Sequence, residues 1–368
     1  MKLGKLCILF TDGDWIESKD QSDSGIRLIQ TGNIGNGEFL YKNDKAKYIS
    51  VDTFKRLNCK EVFPNDILVS RLPEPVGRGC IIPDIGEKMI TAVDCTICRI
   101  NENLVDRKYF CYFLESNAYK TQLEQHVTGT TRKRISRKNL SSVEIDIPEQ
   151  AKQKEVVYKL DRLKKIIQNY NRELDLLDEL VRARFVEMFG DLRVNDKGWK
   201  YYKLDELTEL ITDGEHATPK RTTQGIYLLS ARNVLNHQLS LEDVDYIDYD
   251  EFSRISRRII PREGDVLISC SGSIGRCCVV PKNIKFQMVR SIALLRFKSN
   301  INPVFAEYMI TSDYLQDQIN KSKTASSQAN LFQGKIKSLK GVVPPLELQN
   351  QFASFVQEID KSRLLSNH

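Results

Sequence analysis

Five cations stand within seven residues at Arg132, Lys133, Arg134, Arg137 and Lys138, directly after the polar run Thr128-Gly129-Thr130-Thr131. Guanidinium and ammonium groups in such a loop neutralise phosphates, while Thr, Asn, Gln and Arg carry the donors and acceptors that meet base edges. Taken alone, a solvated surface face explains the same run equally well. Later in the chain Thr324-Ala325-Ser326-Ser327-Gln328-Ala329-Asn330 stands at the aligned position, with the length kept and the cations exchanged for Gln and Asn. One loop with two sets of readers is what two recognition domains for different sequences would present. Other polar turns recur in the same way. Thr31-Gly32-Asn33 returns as Ala231-Arg232-Asn233, and Ser70-Arg71 with Gly77-Arg78 returns as Ser271-Gly272-Ser273 with Gly275-Arg276. The plainer reading of the Gly-Arg pairs is a tight turn followed by a solubilising cation.

Catalytic constellations are not legible. A methyltransferase needs a glycine-rich cofactor loop and an Asn/Asp-Pro-Pro-aromatic motif, and Val343-Pro344-Pro345-Leu346 lacks the polar first residue. The Gly-x-x-x-x-Gly-Lys-Ser/Thr phosphate loop is missing. Pro83-Asp84 with Glu87-Lys88 loosely resembles a nuclease motif, but the Glu and Lys are adjacent and the later half has no counterpart. The four histidines do not repeat. Among nine cysteines only Cys95 and Cys98 are spaced as Cys-x-x-Cys, and a zinc site needs a second pair. The expectation is therefore a chain that is not an enzyme by itself and holds neither metal nor cofactor. The net charge of +6 is mildly basic and permits an anionic partner. With no long apolar stretch and no leader pattern at Met1-Lys2-Leu3-Gly4-Lys5, the cytoplasm is the expected location and no membrane partner is expected.

The elements that position these loops are written twice. Thr11-Asp12-Gly13-Asp14 returns as Thr212-Asp213-Gly214-Glu215, Asp66-Ile67-Leu68-Val69-Ser70 as Asp265-Val266-Leu267-Ile268-Ser269, and Gly77-Arg78 as Gly275-Arg276, the offset drifting only from 201 to 198. A register kept so long marks a duplicated domain and not a solenoid. Within each copy, short β-branched runs punctuated by Gly, Pro and Asn predict strands, followed by one helix, at Asp106 to Gln125 and at Pro303 to Asn320. The fold class is α+β: two homologous domains of twisted, mostly antiparallel sheet plus helices, joined by long coiled-coil helices. The expected boundaries are a first domain over 1–148, a central helix over 149–190, a second domain over 191–345 and a short second helix over 346–368.

The connector carries a heptad. Val156, Leu160, Leu163, Ile167, Tyr170, Leu174, Leu177 and Val181 are spaced alternately four and three apart, with charged residues between them and no Pro or Gly. Phe352, Val356 and Ile359 repeat the start of that stripe after Pro344-Pro345, as Val156, Leu160 and Leu163 follow Pro148. Arg363 and Ser366 then replace Ile167 and Tyr170, which ends the pattern.

Two such copies, each closing in a Pro-(Pro)-x-x-x-Gln element and a heptad helix, resemble the specificity subunit of type I restriction–modification systems over essentially the whole chain. The resemblance implies that each copy is a target recognition domain reading one half of a bipartite double-stranded DNA site. It implies helices that pack antiparallel as a ruler for the spacer and dock two methyltransferase subunits, which in turn recruit a restriction subunit. S-adenosylmethionine, ATP and Mg would belong to those partners, none to this chain. By position, the DNA-facing residues would be Thr31, Asn33, Arg71, Gly77, Arg78, Thr128, Thr130, Arg132, Lys133 and Arg134 in the first domain. In the second they would be Arg232, Asn233, Ser273, Gly275, Arg276, Gln328 and Asn330. Such subunits would carry a second helix four or five turns longer. The expectation here is thus an uncovered apolar stripe on the distal central helix, at Leu174, Leu177 and Val181, unless a methyltransferase helix or a second copy of this chain covers it. Two other readings stay open: a DNA-targeting module of another restriction–methylation effector, and a coiled-coil adaptor that binds proteins through both domains.

Overall fold

The computed structural model describes residues 1–129, 132–322 and 330–365. The chain divides into two units, Met1–Asn169 and Tyr170–His368. In the first, a four-stranded antiparallel sheet runs in the order Cys7–Asp12, Cys95–Ile100, Ile67–Ser70, Gly79–Ile81. The second repeats it as Thr208–Asp213, Ile292–Phe297, Val266–Ser269, Cys277–Val279. Even the irregularity is duplicated, because the edge strand is bulged between Cys7 and Leu9 and again between Thr208 and Leu210. A second sheet, of five short strands in the first unit and three in the second, contains a parallel pair, Ile26–Ile29 with Met89–Thr91 and Ile226–Leu229 with Phe286–Met288.

The central strands Ile67–Ser70 and Val266–Ser269 are buried at every position, which is why they read as unbroken apolar runs instead of alternating ones. Ile67 and Val69 face a core shared with the helices, and Leu68 faces the core under the second sheet. Cys95 and Cys98 divide in the same way, one into each core, so the two sulfurs lie on opposite sides of the sheet. Burial pushes the Cys95 thiol up to about 12, as for a small core hydrophobe. Among the described residues no helix is long and apolar enough to cross a membrane.

Each helix expected after the sheet is in fact two. Arg107–Glu115 and Asn117–Glu124 are separated at Ser116, whose hydroxyl accepts the Tyr119 N–H at 3.2 Å and caps the second helix. Ser312 occupies the same break between Pro303–Thr311 and Asp313–Ser322. Serine at a helix start competes with the helical backbone, and here that competition wins.

The central helix spans Gln150–Phe189, 40 residues or about 60 Å at 1.5 Å per residue. Its entrance is locked by Gln153, 1 % exposed, whose side chain accepts from the Asp106 N–H at 2.7 Å and donates to the Pro148 carbonyl at 2.8 Å. Gln349 does the same for the C-terminal helix Leu346–Leu365, accepting from Asn302 N–H and donating to Pro344, both at 2.8 Å. The repeated Pro-to-Gln element is thus a hinge pin between sheet domain and helix. Within the first unit, the helix also meets Lys108 and Tyr112 through Asp161 and meets Glu115 through Lys164.

The uncovered stripe lies elsewhere than expected. In the second unit Val181, Phe185 and Phe189 are buried against Phe352, whose ring centroid is 5.4 Å from that of Phe185 and 5.6 Å from that of Phe189. Farther along, Arg363 pairs with Asp178, so the two helices run antiparallel. An antiparallel partner covers the distal end of the central helix first. Val181 is therefore core, Tyr170, Leu174 and Leu177 are half-buried, and Ile359 packs against the same cluster. Val156 and Leu160 are half-buried in the first unit, while Leu163, Ile166 and Ile167 are 54 %, 58 % and 57 % exposed.

Candidate nucleic-acid interface

The strand ends of the first unit deliver the loops 12–16, 30–34, 71–78, 92–94 and 132–137 to one edge, and backbone hydrogen bonds stitch them together. Val93 N–H donates to Asp14, Arg71 N–H to Asp94 and Ile135 N–H to Arg71, at 2.9, 2.8 and 3.2 Å. Two arginines do most of the remaining work. Arg71 donates to the carbonyls of Val93 and Ile135 at 2.6 and 3.2 Å and pairs with Asp12 at 3.2 Å. Arg78 donates to four carbonyls, Ile34, Thr31, Pro73 and Pro75, at 2.6 to 3.0 Å. Their charge holds the loops in shape.

Asn33 has a similar part. It is 7 % exposed, its Oδ1 accepts the Gln30 N–H at 3.0 Å and its Nδ2 donates to Leu40 at 2.9 Å. Asn233 repeats this at 1 % exposure, with Ser230 N–H and the Asp243 carbonyl both at 2.9 Å. Gly77 and Gly275 have φ of +83° and +91°, the left-handed region that glycine enters without cost. A Cβ on Gly77 would lie 2.2 Å from Leu123 Cδ1, and the Gly77 carbonyl accepts the buried Tyr119 hydroxyl at 2.9 Å.

Side chains on the outer surface form a different set. Thr128, Arg132, Lys133, Arg134, Arg137 and Lys138 are exposed, the ends of the loop being closed by paired backbone bonds between Thr128 and Arg134 at 2.9 Å. Lys133 touches Glu74 at 2.9 Å in a solvated pair, and Arg137 stands 3.9 Å from Asp12. Arg132 and Arg134 have no acidic partner among the described residues. Thr31 is half-buried, and Thr130 lies outside the described residues.

The second unit rebuilds the edge with the equivalent backbone bonds and other side chains. Cys270 N–H donates to Ser291 at 2.8 Å, Leu331 N–H to Cys270 at 2.9 Å, and Arg290 N–H to Glu215 at 3.0 Å. Arg232 is held by Asp243 and Asp245 at 3.4 and 3.2 Å, and the Ser273 carbonyl accepts the Ser269 hydroxyl at 2.6 Å. Arg276 is half-buried, Asn330 bridges Ser271, and Gln328 lies outside the described residues. Arg290 is an exposed cation on this edge that the repeated motifs do not mark, since Val93 fills its place in the first copy.

A second repeated feature lies at the opposite ends of the central strands. Asp66 accepts from Arg99 Nε and Nη2, both at 2.8 Å, and Asp265 accepts from Arg296 at 2.8 and 2.7 Å. Each carboxylate also caps a turn, taking the N–H of Phe63 at 2.9 Å or of Arg262 at 2.8 Å. The aspartates were visible as members of the repeat. Their arginine partners lie some thirty residues on, and only the antiparallel register brings them together.

This architecture, two copies of one loop-bearing domain on helical connectors, is that of a sequence-reading subunit. The family model for the type I restriction modification DNA specificity domain matches residues 1–178 and again 196–368. The chain belongs to that family. It is 20 % identical over 359 residues to the type I restriction enzyme EcoKI specificity subunit of Escherichia coli strain K12, covering 92 % of this chain and 76 % of that one. To the EcoBI specificity subunit of Escherichia coli it is 22 % identical over 293 residues, 72 % of this chain and 61 % of that one. A structure described as showing complex assembly and conformational transition of the type I R-M system shares the fold with a TM-score of 0.57 at 14 % identity, covering all of this chain and 92 % of that one. The type I restriction-modification S subunit from M. genitalium does so with a TM-score of 0.53 at 13 % identity, covering all of this chain and 90 % of that one.

Proposed function

We propose that each unit reads one half of a bipartite double-stranded DNA site, and that the helices set the length of the spacer between the halves. The observation that carries this is the loop edge built twice by the same backbone bonds yet furnished with different outward side chains. Phosphate contacts fall to Arg132, Lys133, Arg134 and, in the second unit, Arg232 and Arg276. Thr128, Ser273 and Asn330 supply neutral polar readers. Asn33, Asn233, Arg71, Arg78, Gly77 and Gly275 act by shaping the loops.

Methyltransferase subunits dock along the helices, where Leu163, Ile166 and Ile167 offer an apolar stripe, and the restriction subunit joins through them. A second copy of this chain is the other occupant this stripe fits. S-adenosylmethionine, ATP and Mg reside in those partners, and this cytoplasmic chain contributes recognition without catalysis.

The test is co-expression with the genomically adjacent methyltransferase, followed by mapping of N6-methyladenine across the genome. A new motif of two short half-sites around a fixed gap is expected. A contiguous motif or no new methylation would refute the proposal.

Replacing Arg132, Lys133 and Arg134 together by alanine is expected to weaken DNA binding and to flatten the plot of log affinity against log salt. The slope falls by about 0.9 for each phosphate that is no longer neutralised, so by about 2 to 3 if all three cations engage the backbone. An unchanged slope would remove this loop from the interface.

A further inference from the structure

Trp15 is 70 % exposed, the most exposed of the chain's large aromatic side chains. An indole buries on the order of 150–250 Å² when it finds a partner, so leaving it in water forgoes a large stabilisation. Isolated exposed aromatics are ordinary, and three others here are covered: Phe63 lies under Arg99, Tyr158 under Arg162 and Tyr249 under Lys285, at 4.4, 5.6 and 4.9 Å. Among the described residues no cation or ring covers Trp15.

The backbone that presents it is rigid and duplicated. Asp14 N–H donates to Thr91 and Val93 N–H to Asp14, both at 2.9 Å; in the second unit Glu215 N–H donates to Met288 at 2.9 Å and Arg290 N–H to Glu215 at 3.0 Å. The preceding glycines are pressed on the same strand ends. A Cβ on Gly13 would lie 2.2 Å from the Thr91 carbonyl oxygen, and one on Gly214 would lie 2.3 Å from that of Met288. The residue that follows these pinned turns is Trp15 in one unit and His216 in the other. His216 is also exposed, at 58 % of its side chain, and Asp213 steadies its ring at 2.8 Å.

Trp15 stands on the interface edge. Asp14 bonds Val93, Val93 bonds Arg71, and Arg71 bonds Ile135 beside the cation run. The acids around it are neutralised locally: Asp12 by Arg71 at 3.2 Å, Asp14 by Lys60 at 3.2 Å and Glu17 by Lys19 at 2.8 Å. Lys19 first, and to a lesser extent the Trp15 indole N–H, hold the Glu17 carboxyl below its ordinary range. An approaching phosphate therefore meets no unpaired anion from these three.

We propose that Trp15 packs its indole on a nucleobase of the half-site read by the first unit, and that His216 presents its imidazole at the equivalent place for the second. Every base has a π-face, so such a ring adds affinity and, by favouring steps that open readily, preference at a position no hydrogen bond reads. The inference rests on the DNA-reading function proposed above.

The test uses the full chain assembled with its methyltransferase and a duplex carrying the methylation motif found for the wild type, with 2-aminopurine placed in turn along each half-site. Trp15→Ala is expected to bind about tenfold more weakly, equivalent to about 1.4 kcal/mol. It should also abolish a 2-aminopurine emission change confined to the first half-site. Trp15→Phe should keep most of both signals, and His216→Ala should act on the second half-site only. Continued methylation of the second half-site by Trp15→Ala shows that the chain is folded. If wild type and Trp15→Ala bind alike and no 2-aminopurine position responds, this inference fails while the DNA-reading function stands. If the wild type yields no bipartite motif, both fail.

Discussion

Asp265→Asn is expected to destabilise the second unit by about 3 kcal/mol, roughly a hundredfold in its folding equilibrium. The carboxylate is 2 % exposed and accepts two N–H groups of Arg296 and the backbone N–H of Arg262. Asparagine preserves the shape but turns an amide NH2 towards a guanidinium that is itself only 19 % exposed. One donor then faces another, and a largely buried positive charge has lost its counter-charge. Replacing Asp265 by Leu and Arg296 by Met together should cost less than either single change, because nothing charged is then left unpaired.

Urea unfolding followed at Trp199 reads this effect. That indole belongs to the second unit, where its N–H donates to the Phe189 carbonyl at 2.7 Å. The first unit, with its own Asp66–Arg99 pair at 2.8 Å, should be untouched. In the methylation assay the variant should lose the second half-site at elevated temperature before the first. A shift below about 1 kcal/mol would mean that the pair is solvated and weak, as surface ion pairs are.

The other large effect concerns the central helix. Inserting one heptad after Tyr170 is expected to lengthen the recognised spacer by about three base pairs and leave both half-sites as they were. Seven residues add about 10.5 Å of helix, and base pairs stack about 3.4 Å apart. Seven is nearly two whole turns, so the apolar stripe drifts by only about 20°.

The insertion point is chosen from the packing. Gln153, Asp161 and Lys164 tie the helix to the first unit, whereas Val181, Phe185 and Phe189 belong to the core of the second. Between them Ile166 and Ile167 are more than half exposed, so added residues disrupt neither core. Mapped methylation gives the spacer directly. A changed half-site, or an unchanged spacer with activity retained, would refute the ruler.

Much of this fold was legible in the chain itself. Duplication showed in the repeated Thr-Asp-Gly and Asp-x-Leu-x-Ser runs because a copied domain retains the residues its turns and buried strands demand. The long helix showed in its heptad, since periodicity is a local property of the chain. Gly77 and Gly275 were visible as turns.

What could not be seen was what each polar side chain faces. Arg71 and Arg78 looked like DNA-binding residues by type and position, yet they bond carbonyls up to 64 residues away in sequence. Asn33 and Asn233 looked like readers and are buried caps. Antiparallel pairing of the helices was implied by the family resemblance, but which residues it covers was not. The heptads of Phe352 and Val156 align in parallel on the page, whereas in space Phe352 meets Phe185 and Phe189 and the exposed stripe moves to Leu163, Ile166 and Ile167. Local propensity and periodicity specify elements and their apolar faces, because both depend on neighbours in the chain. Pairing of a charge, an amide or a ring depends on neighbours in space, and only the folded sheet and the antiparallel helices bring those together.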